Sequence, residues 1–257
     1  MSRPLEGKRV LITRPRGQAS QLAEKLVDLG AIPVQLPAIE IAAPLDFSEF
    51  DAALQNLKRF DWVVMTSVNG VAAVSRRMSA LGIRPDALSA RKLAVIGPST
   101  AEALKASFRE PDLVPHEYVS EALADTLGDV AGQSFLLLRA DIARKDLAVD
   151  LRRKGAKVTE VAVYRIITEE GSRLTDNEPR PDYITLTSSA SAIATLAKLR
   201  EGGREEWMRK VPIACIGPIT AKTVRDLGYK VAVGAEEYTI PGLVEAIVKH
   251  ANGTVHA

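Results

Sequence analysis

Short apolar runs alternate along the chain with stretches in which apolar residues recur at helical spacing. Arg9-Val10-Leu11-Ile12-Thr13 is the first run and reads as a buried strand. Arg14-Pro15-Arg16 breaks it. Leu22, Leu26 and Leu29 then mark a helix that Gly30 ends. Ile32 to Leu36 is a second strand, completing a β-α-β unit. Pro37-Ala38-Ile39-Glu40-Ile41 leads into a polar region and a helix expected near Phe47 to Leu57. Strands are expected from Trp62, at Leu93 to Ile96 and briefly at Leu113 to Pro115. Helices are expected at Asn69 to Leu81 and Ser99 to Ser107. Glu117-Tyr118-Val119-Ser120-Glu121 opens another, with Ser120 as its N-cap.

The pattern then restarts. Phe135-Leu136-Leu137-Leu138-Arg139 matches Val10 to Arg14, and a helix through Leu147 and Leu151 to Gly155 matches the one that ends at Gly30. Val158 to Ile167 is a long β-branched stretch, followed by a polar loop from Thr168 to Pro181. Thr66-Ser67-Val68-Asn69-Gly70 returns as Thr187-Ser188-Ser189-Ala190-Ser191, each after an apolar run opened by Asp (Asp61, Asp182). Ile96-Gly97-Pro98-Ser99-Thr100-Ala101 returns as Ile216-Gly217-Pro218-Ile219-Thr220-Ala221. Lys230 to Val233 reads as a strand, Pro241 to Val248 as the last helix, and the tail from Asn252 as loose. The offset, roughly 120 to 125 residues, is too long for a solenoid and describes an α/β domain copied twice. Strands alternating with helices call for mostly parallel sheets covered on both faces.

Periodicity permits two assemblies. Residues 1–130 and 131–257 can each fold alone, or the first β-α-β unit can cross over to the second half. Both copies carry their non-repeated insert between that unit and the Thr-Ser strand, so two extended segments at matching places can run side by side as a connector. This position favours the crossover.

Composition narrows the function classes. With 46% apolar and 26% charged residues, the chain is an ordinary globular one. A net charge of +2 gives no bulk attraction to nucleic acid or membrane. The lone Cys215 excludes a disulfide framework and reads as a buried, inert thiol. The N-terminus lacks the apolar core of a signal peptide, and no run reaches a membrane span, so a cytoplasmic place is expected. His116, His250 and His256 have no metal-ligand spacing. Neither a Gly-x-Gly-x-x-Gly fingerprint nor a Walker loop occurs, against a nucleotide-using transferase.

Strands that end in small hydroxyl residues and turn into helices leave backbone N–H groups free, and the helix dipole favours anions there. Thr66, Ser67, Asn69, Ser99, Thr100, Thr187, Ser188, Ser189 and Thr220 are therefore candidate binders of a ligand with several carboxylates. N-capping accounts for a single Ser or Thr equally well. Arg14, Arg16, Arg139 and Arg144 follow the first strand of each copy, and arginine grips carboxylates bidentately; solvated loop charge is the alternative. Trp62 and Trp207 read as packing residues.

In their order and spacing these phrases, with Leu11-Ile12-Thr13-Arg14-Pro15 and Val163-Tyr164-Arg165, resemble the uroporphyrinogen-III synthase family over nearly the whole chain. The resemblance implies the crossover. One α/β domain would be 1–36 plus 168–257 and the other 40–164, joined by linker strands at 37–39 and 165–167, with the active site in a cleft between them. It implies hydroxymethylbilane, a linear tetrapyrrole with eight carboxylates, as substrate. The tetrapyrrole is closed to the macrocycle with loss of water and inversion of its last ring. The resemblance implies no cofactor or metal, no nucleic-acid or membrane partner, and a monomer. It also places the family's tyrosine at Tyr164, a candidate acid whose neighbour Arg165 is expected to lower its pKa; an interfacial packing role is the alternative. The loop Arg139-Ala140-Asp141-Ile142-Ala143-Arg144 lacks the family's glycines, which puts close backbone approach there in question. Without the resemblance, the residues support a two-domain binder of polyanionic small molecules, the rival to an enzyme.

Overall fold

The structure, a computed structural model, describes residues 3–116 and 120–253, without the side chains of 120 and 121. In chain order it begins β1 (Arg9–Ile12), α1 (Arg16–Asp28), β2 (Ile32–Gln35), β3 (Ile39–Ala42) and α2 (Ser48–Gln55), with a 3-10 turn at Leu57–Arg59. Then come β4 (Trp62–Met65), α3 (Val68–Ala80), α4 (Asp86–Ser89), β5 (Lys92–Val95), α5 (Pro98–Ser107) and α6 (Ser120–Thr126). Next are β6 (Ser134–Ala140), α7 (Asp146–Arg153), β7 (Lys157–Thr168), β8 (Tyr183–Leu186) and α8 (Ser189–Glu201). The chain closes with α9 (Trp207–Lys210), β9 (Ile213–Cys215), α10 (Pro218–Asp226), β10 (Val233–Gly234) and α11 (Ile240–Gly253).

Two compact units result. One is Met1–Glu40 with Ile167–Ala257, the other Ile41–Ile166. The chain passes between them within β3 and β7, which are neighbours in a sheet.

In the first unit the strand order is β10-β9-β8-β1-β2, and the pairs are parallel. Alternate residues of each strand feed opposite faces. Val10 and Ile12 pack with Leu22 and Leu26 of α1 and Leu243 and Ile247 of α11. Leu11, Ile184 and Leu186 pack with Leu196 and Leu199 of α8, Trp207 of α9 and Val224 of α10. Burial on both faces is why β1 and β8 read as unbroken apolar runs.

The second unit repeats the plan, with β3-β7-β6-β4-β5. Trp62, Val64, Phe135 and Leu137 face Leu123 of α6 and Leu147 and Leu151 of α7. Val63, Met65, Leu136 and Leu138 face Phe50 of α2, Val71 and Val74 of α3 and Leu104 of α5. The strand-opening aspartates do the same work in each unit. Asp182 Oδ2 accepts from Arg9 N at 2.8 Å, and Asp61 Oδ2 from Ser134 N at 2.8 Å. Each ties the start of its strand to the central neighbour.

Some elements differ from the sequence expectation. Leu113 makes only a single bridge to Ala94, and Pro115, without an N–H, cannot extend it. The strand expected over Lys230 to Val233 shrinks to β10, because three-residue β9 offers little to pair with. The last helix runs beyond Val248, since Ala251 is still buried against Leu243 and Ile247; Asn252 is helical, not loose. α4, one turn long, has no periodicity to announce it. Glu117 to Val119, the side chain expected to cap at Ser120, and His256 lie outside the described residues. Trp62, Trp207 and Cys215 are core residues, and burial pushes the Cys215 thiol up to about 12. No described helix is long and apolar enough to cross a membrane.

Candidate active site

In each unit the connections leave the central strand pair on opposite faces. α1 lies on the Val10 and Ile12 face, whereas α8 lies on the Leu11 face. Such a reversal opens a crevice outside the carboxyl ends of the strands, the usual ligand position in open α/β sheets. It falls at β1 and β8 in the first unit and at β6 and β4 in the second.

In the first unit that position brings together Arg14, Thr187, Ser188 and Ser189. Beneath them Thr13 and Thr185, both fully buried, zip the strands: Thr13 Oγ1 donates to Thr185 O and Thr185 Oγ1 to Leu11 O, each at 2.8 Å. Arg14 Nη2 donates to Gln18 Oε1 at 3.3 Å, but its buried Nε and Nη1 find no acceptor among the described residues. Burial lowers its pKa. A half-buried guanidinium with orphan donors is a ready partner for a carboxylate.

Ser188 caps α8. Its Oγ accepts from Ser191 N, and Ser191 Oγ accepts from Ser188 N, both at 3.1 Å. Ser189 Oγ is 2.6 Å from Thr223 Oγ1, so its hydroxyl already ties α8 to α10. Thr220 is buried in the first turn of α10. Arg16 is exposed and pairs with Glu169 rather than lining this position.

In the second unit the same position holds Thr66, Ser67 and Tyr164. Ser67 caps α3, its Oγ accepting from Gly70 N at 3.0 Å and lying 2.9 Å from Tyr164 Oη. Tyr164 is only 6% exposed. Its ring also lines a pocket of about 230 Å³ with Ile41, Phe47, Ala73, Arg76 and Arg77. Asn69 stands half-buried in the first turn of α3; Ser99 is exposed and Thr100 buried in the first turn of α5.

Two expectations need correction. Arg165 does not make Tyr164 more acidic. Adjacent strand residues point to opposite faces, and Arg165 Nε donates to Ala43 O at 3.0 Å. Burial instead pushes the Tyr164 phenol up, the Ser67 hydrogen bond pulls it down, and Asp141 adds to the rise. Arg139 is not a ligand-facing cation: it is 4% exposed, pairs with Glu160 and donates from Nη1 to Arg144 O at 2.9 Å. Arg144 is exposed, with Asp146 at 3.4 Å. Among the described residues no group of His, Cys, Asp and Glu is placed to hold a metal ion.

The family model HEM4, uroporphyrinogen-III synthase HemD, matches residues 20–245. The chain belongs to the uroporphyrinogen-III synthase family. The uroporphyrinogen-III synthase of Synechococcus elongatus is 32% identical, over 98% of each chain. That of Escherichia coli is 25% identical, over 86% of this chain and 92% of its own. Among solved structures, a mutant uroporphyrinogen III synthase of Thermus thermophilus superposes with a TM-score of 0.71 at 19% identity, covering 96% of this chain and all of the other. The enzyme of Helicobacter pylori gives 0.60 at 18%, over 95% and 99%. At those identities the structures speak for the shared two-domain α/β fold.

Sequence reasoning about this family member missed the Thr13 and Thr185 zipper and the role of Gly70. The second was legible in the repeat, because Gly70 stands where the other copy has Ser191.

Proposed function

We infer that this chain is a uroporphyrinogen-III synthase that closes hydroxymethylbilane to uroporphyrinogen III, with loss of water and inversion of the last ring. The observation that carries this is the family match across nearly the whole chain, with 32% identity to a full-length relative. The chemistry of the strand ends supports it. Arg14, just after β1, offers buried donors that lack acceptors among the described residues, and β8, paired with β1, leads into Thr187, Ser188 and Ser189, which suits a substrate with eight carboxylates.

The reaction needs a proton for the leaving hydroxyl and a grip that brings the chain ends together. Orientation alone can supply about 7–11 kcal/mol. Tyr164 is the acid: a phenol carries its proton at neutral pH, and burial, which raises this one, makes it a weaker acid that still holds a proton to give. Arg14, Thr187, Ser188, Ser189 and Thr220 hold carboxylates in one domain. Thr66, Asn69, Ser99 and Thr100 do so in the other through their side chains, and the Ser67 turn does so through the free N–H groups of its helix end. The domains are 1–36 with 168–257, and 40–164, with 37–39 and 165–167 as linkers. The enzyme works as a cytoplasmic monomer without cofactor or metal.

The test is incubation with fresh hydroxymethylbilane, followed by isomer analysis. The asymmetric type III ring must form faster than the symmetric type I ring that arises spontaneously. Type I alone, at the uncatalysed rate, would leave the chain a binder of tetrapyrroles and overturn the enzyme reading.

A further inference from the structure

The two copies of the Thr-Ser turn are wired differently. At the first-unit turn Ser188 spends its hydroxyl inside the turn: Ser188 Oγ donates to Ser191 Oγ at 3.1 Å while accepting from Ser191 N. At the second-unit turn Gly70 occupies the place of Ser191. It brings no side-chain acceptor, and little room exists for one. A Cβ there would meet Leu138 O and Ser67 Oγ at 3.3 Å and Tyr164 Cε1 at 4.0 Å. Ser67 Oγ still accepts the Gly70 N–H, which leaves its own proton without a place in the turn. Tyr164 Oη sits 2.9 Å away.

We propose that Ser67 is a positioning residue for the proposed ring-closing reaction: it donates its hydroxyl proton to Tyr164 Oη and so aims the phenolic O–H at the substrate. This rests on the reading of Tyr164 as the acid. The resulting chain runs one way, from the Gly70 N–H at the positive end of α3 to Ser67 O–H, to Tyr164 O–H, to the leaving hydroxyl. As the C–O bond breaks, the Tyr164 O–H bond breaks with it, and the hydroxyl departs as water. Ser67 then stabilises the phenolate, which takes up the proton the ring carbon releases on closure. No other reactant is needed.

The charged neighbours do not substitute for this bond. Asp141, after β6, disfavours the phenolate. Arg77, on α3, is held by Asp51 of α2 through Nε at 2.6 Å and Nη2 at 2.5 Å. Arg76 lines the pocket from the solvent side. Arg165, on the same strand, donates to Ala43 O.

The test separates this role from capping, because glycine caps helices nearly as well as serine but has no hydroxyl. Ser67→Gly is expected to lower kcat about 10- to 100-fold with KM nearly unchanged. Ser67→Thr should restore most of the rate. Ser67→Gly combined with Tyr164→Phe should be no slower than Tyr164→Phe alone. With tyrosine labelled at 13Cζ, the Tyr164 resonance, assigned by its loss in Tyr164→Phe, should move in Ser67→Gly and return in Ser67→Thr. An unmoved resonance, an effect confined to KM, or multiplicative losses in the double variant would overturn the proposal. Full activity of Tyr164→Phe would instead remove the acid reading on which it rests, while the resonance would still report whether Ser67 donates.

Discussion

Arg14 and Arg139 occupy the same place in the two copies, yet the structure gives them opposite circumstances, and the contrast makes a sharp prediction. Arg14 keeps two buried N–H donors without acceptors among the described residues, whereas Arg139 is paired with Glu160 and the Arg144 carbonyl. Replacing Arg14 by methionine removes a charge that burial already disfavours, and among the described residues it breaks a 3.3 Å contact to Gln18. Unfolding free energy should therefore stay within about 0.5 kcal/mol of wild type, or rise. A hydrogen bond to a charged group contributes about 1.5–3 kcal/mol. Losing the net of one such bond to a substrate carboxylate should raise KM about 10- to 150-fold. Arg139→Met should do the reverse. It leaves the half-buried Glu160 with Lys145 and Arg152 and empties the buried place of Arg139, so the loss should be about 3 kcal/mol, the low end for a broken buried pair. Its KM should move little once the variant is folded. Urea titration followed by circular dichroism measures the first quantity, and type III formation against hydroxymethylbilane concentration the second. If Arg14→Met proves as destabilising as Arg139→Met while KM holds, Arg14 is a structural residue and the first-unit anion site is wrongly placed.

Four further outcomes are expected. Gly70→Ala should cost about 1–3 kcal/mol in urea unfolding, because its Cβ meets backbone at Leu138 O and the cap at Ser67 Oγ; a neutral result would mean the turn is looser than described. Stability should fall as pH drops below about 4. Ser134 holds Asp61 below the ordinary carboxylate range, and at Glu160 the pull of Arg139, Lys145 and Arg152 outweighs burial, so both are more acidic folded than unfolded. Their contribution is present above the unfolded values and lost as pH falls through the lower folded values, and urea midpoints at pH 7 and at about pH 3 measure it. Tyr164→Phe should slow type III formation about 100-fold without abolishing it, since orientation survives; unchanged kcat would remove the tyrosine as acid. The Cys215 thiol, at about 12, should not react with a thiol reagent at pH 8 until the protein unfolds.

What was legible in the chain was what repeats with a period. Runs such as Val10 to Ile12 and Phe135 to Leu138 announced strands buried on both faces, and the repeated Thr-Ser and Gly-Pro phrases located the strand ends. Side-chain commitments were not legible, because they depend on neighbours far away in the chain. Arg14 and Arg139 look alike locally, and only the position of Glu160 on β7 decides that one is paired. Arg165 looked like a cationic neighbour of Tyr164, but strand alternation sends it to Ala43. The phenol's true partner, Ser67, lies 97 positions away. Short pieces escaped too: α4 and β10 hold too few residues to carry a period.

Duplication lets each feature be read against its twin, and the differences fall into a pattern. The first unit retains an arginine with free donors and a Thr-Ser turn whose hydroxyls are satisfied internally, by Ser191 and Thr223. The second has locked its arginine into an ion pair and released a cap hydroxyl toward a buried tyrosine. A copy that offers fixed donors is suited to holding anions; a copy that offers a mobile proton is suited to chemistry. The two roles predict different kinetic signatures, since lost binding common to ground and transition state raises KM while a lost proton donor lowers kcat. Losses at Arg14, Thr187 and Thr220 should therefore sort with KM, and losses at Ser67, Gly70 and Tyr164 with kcat. A scan in which the two sets mix would mean that the copies diverged without dividing the work.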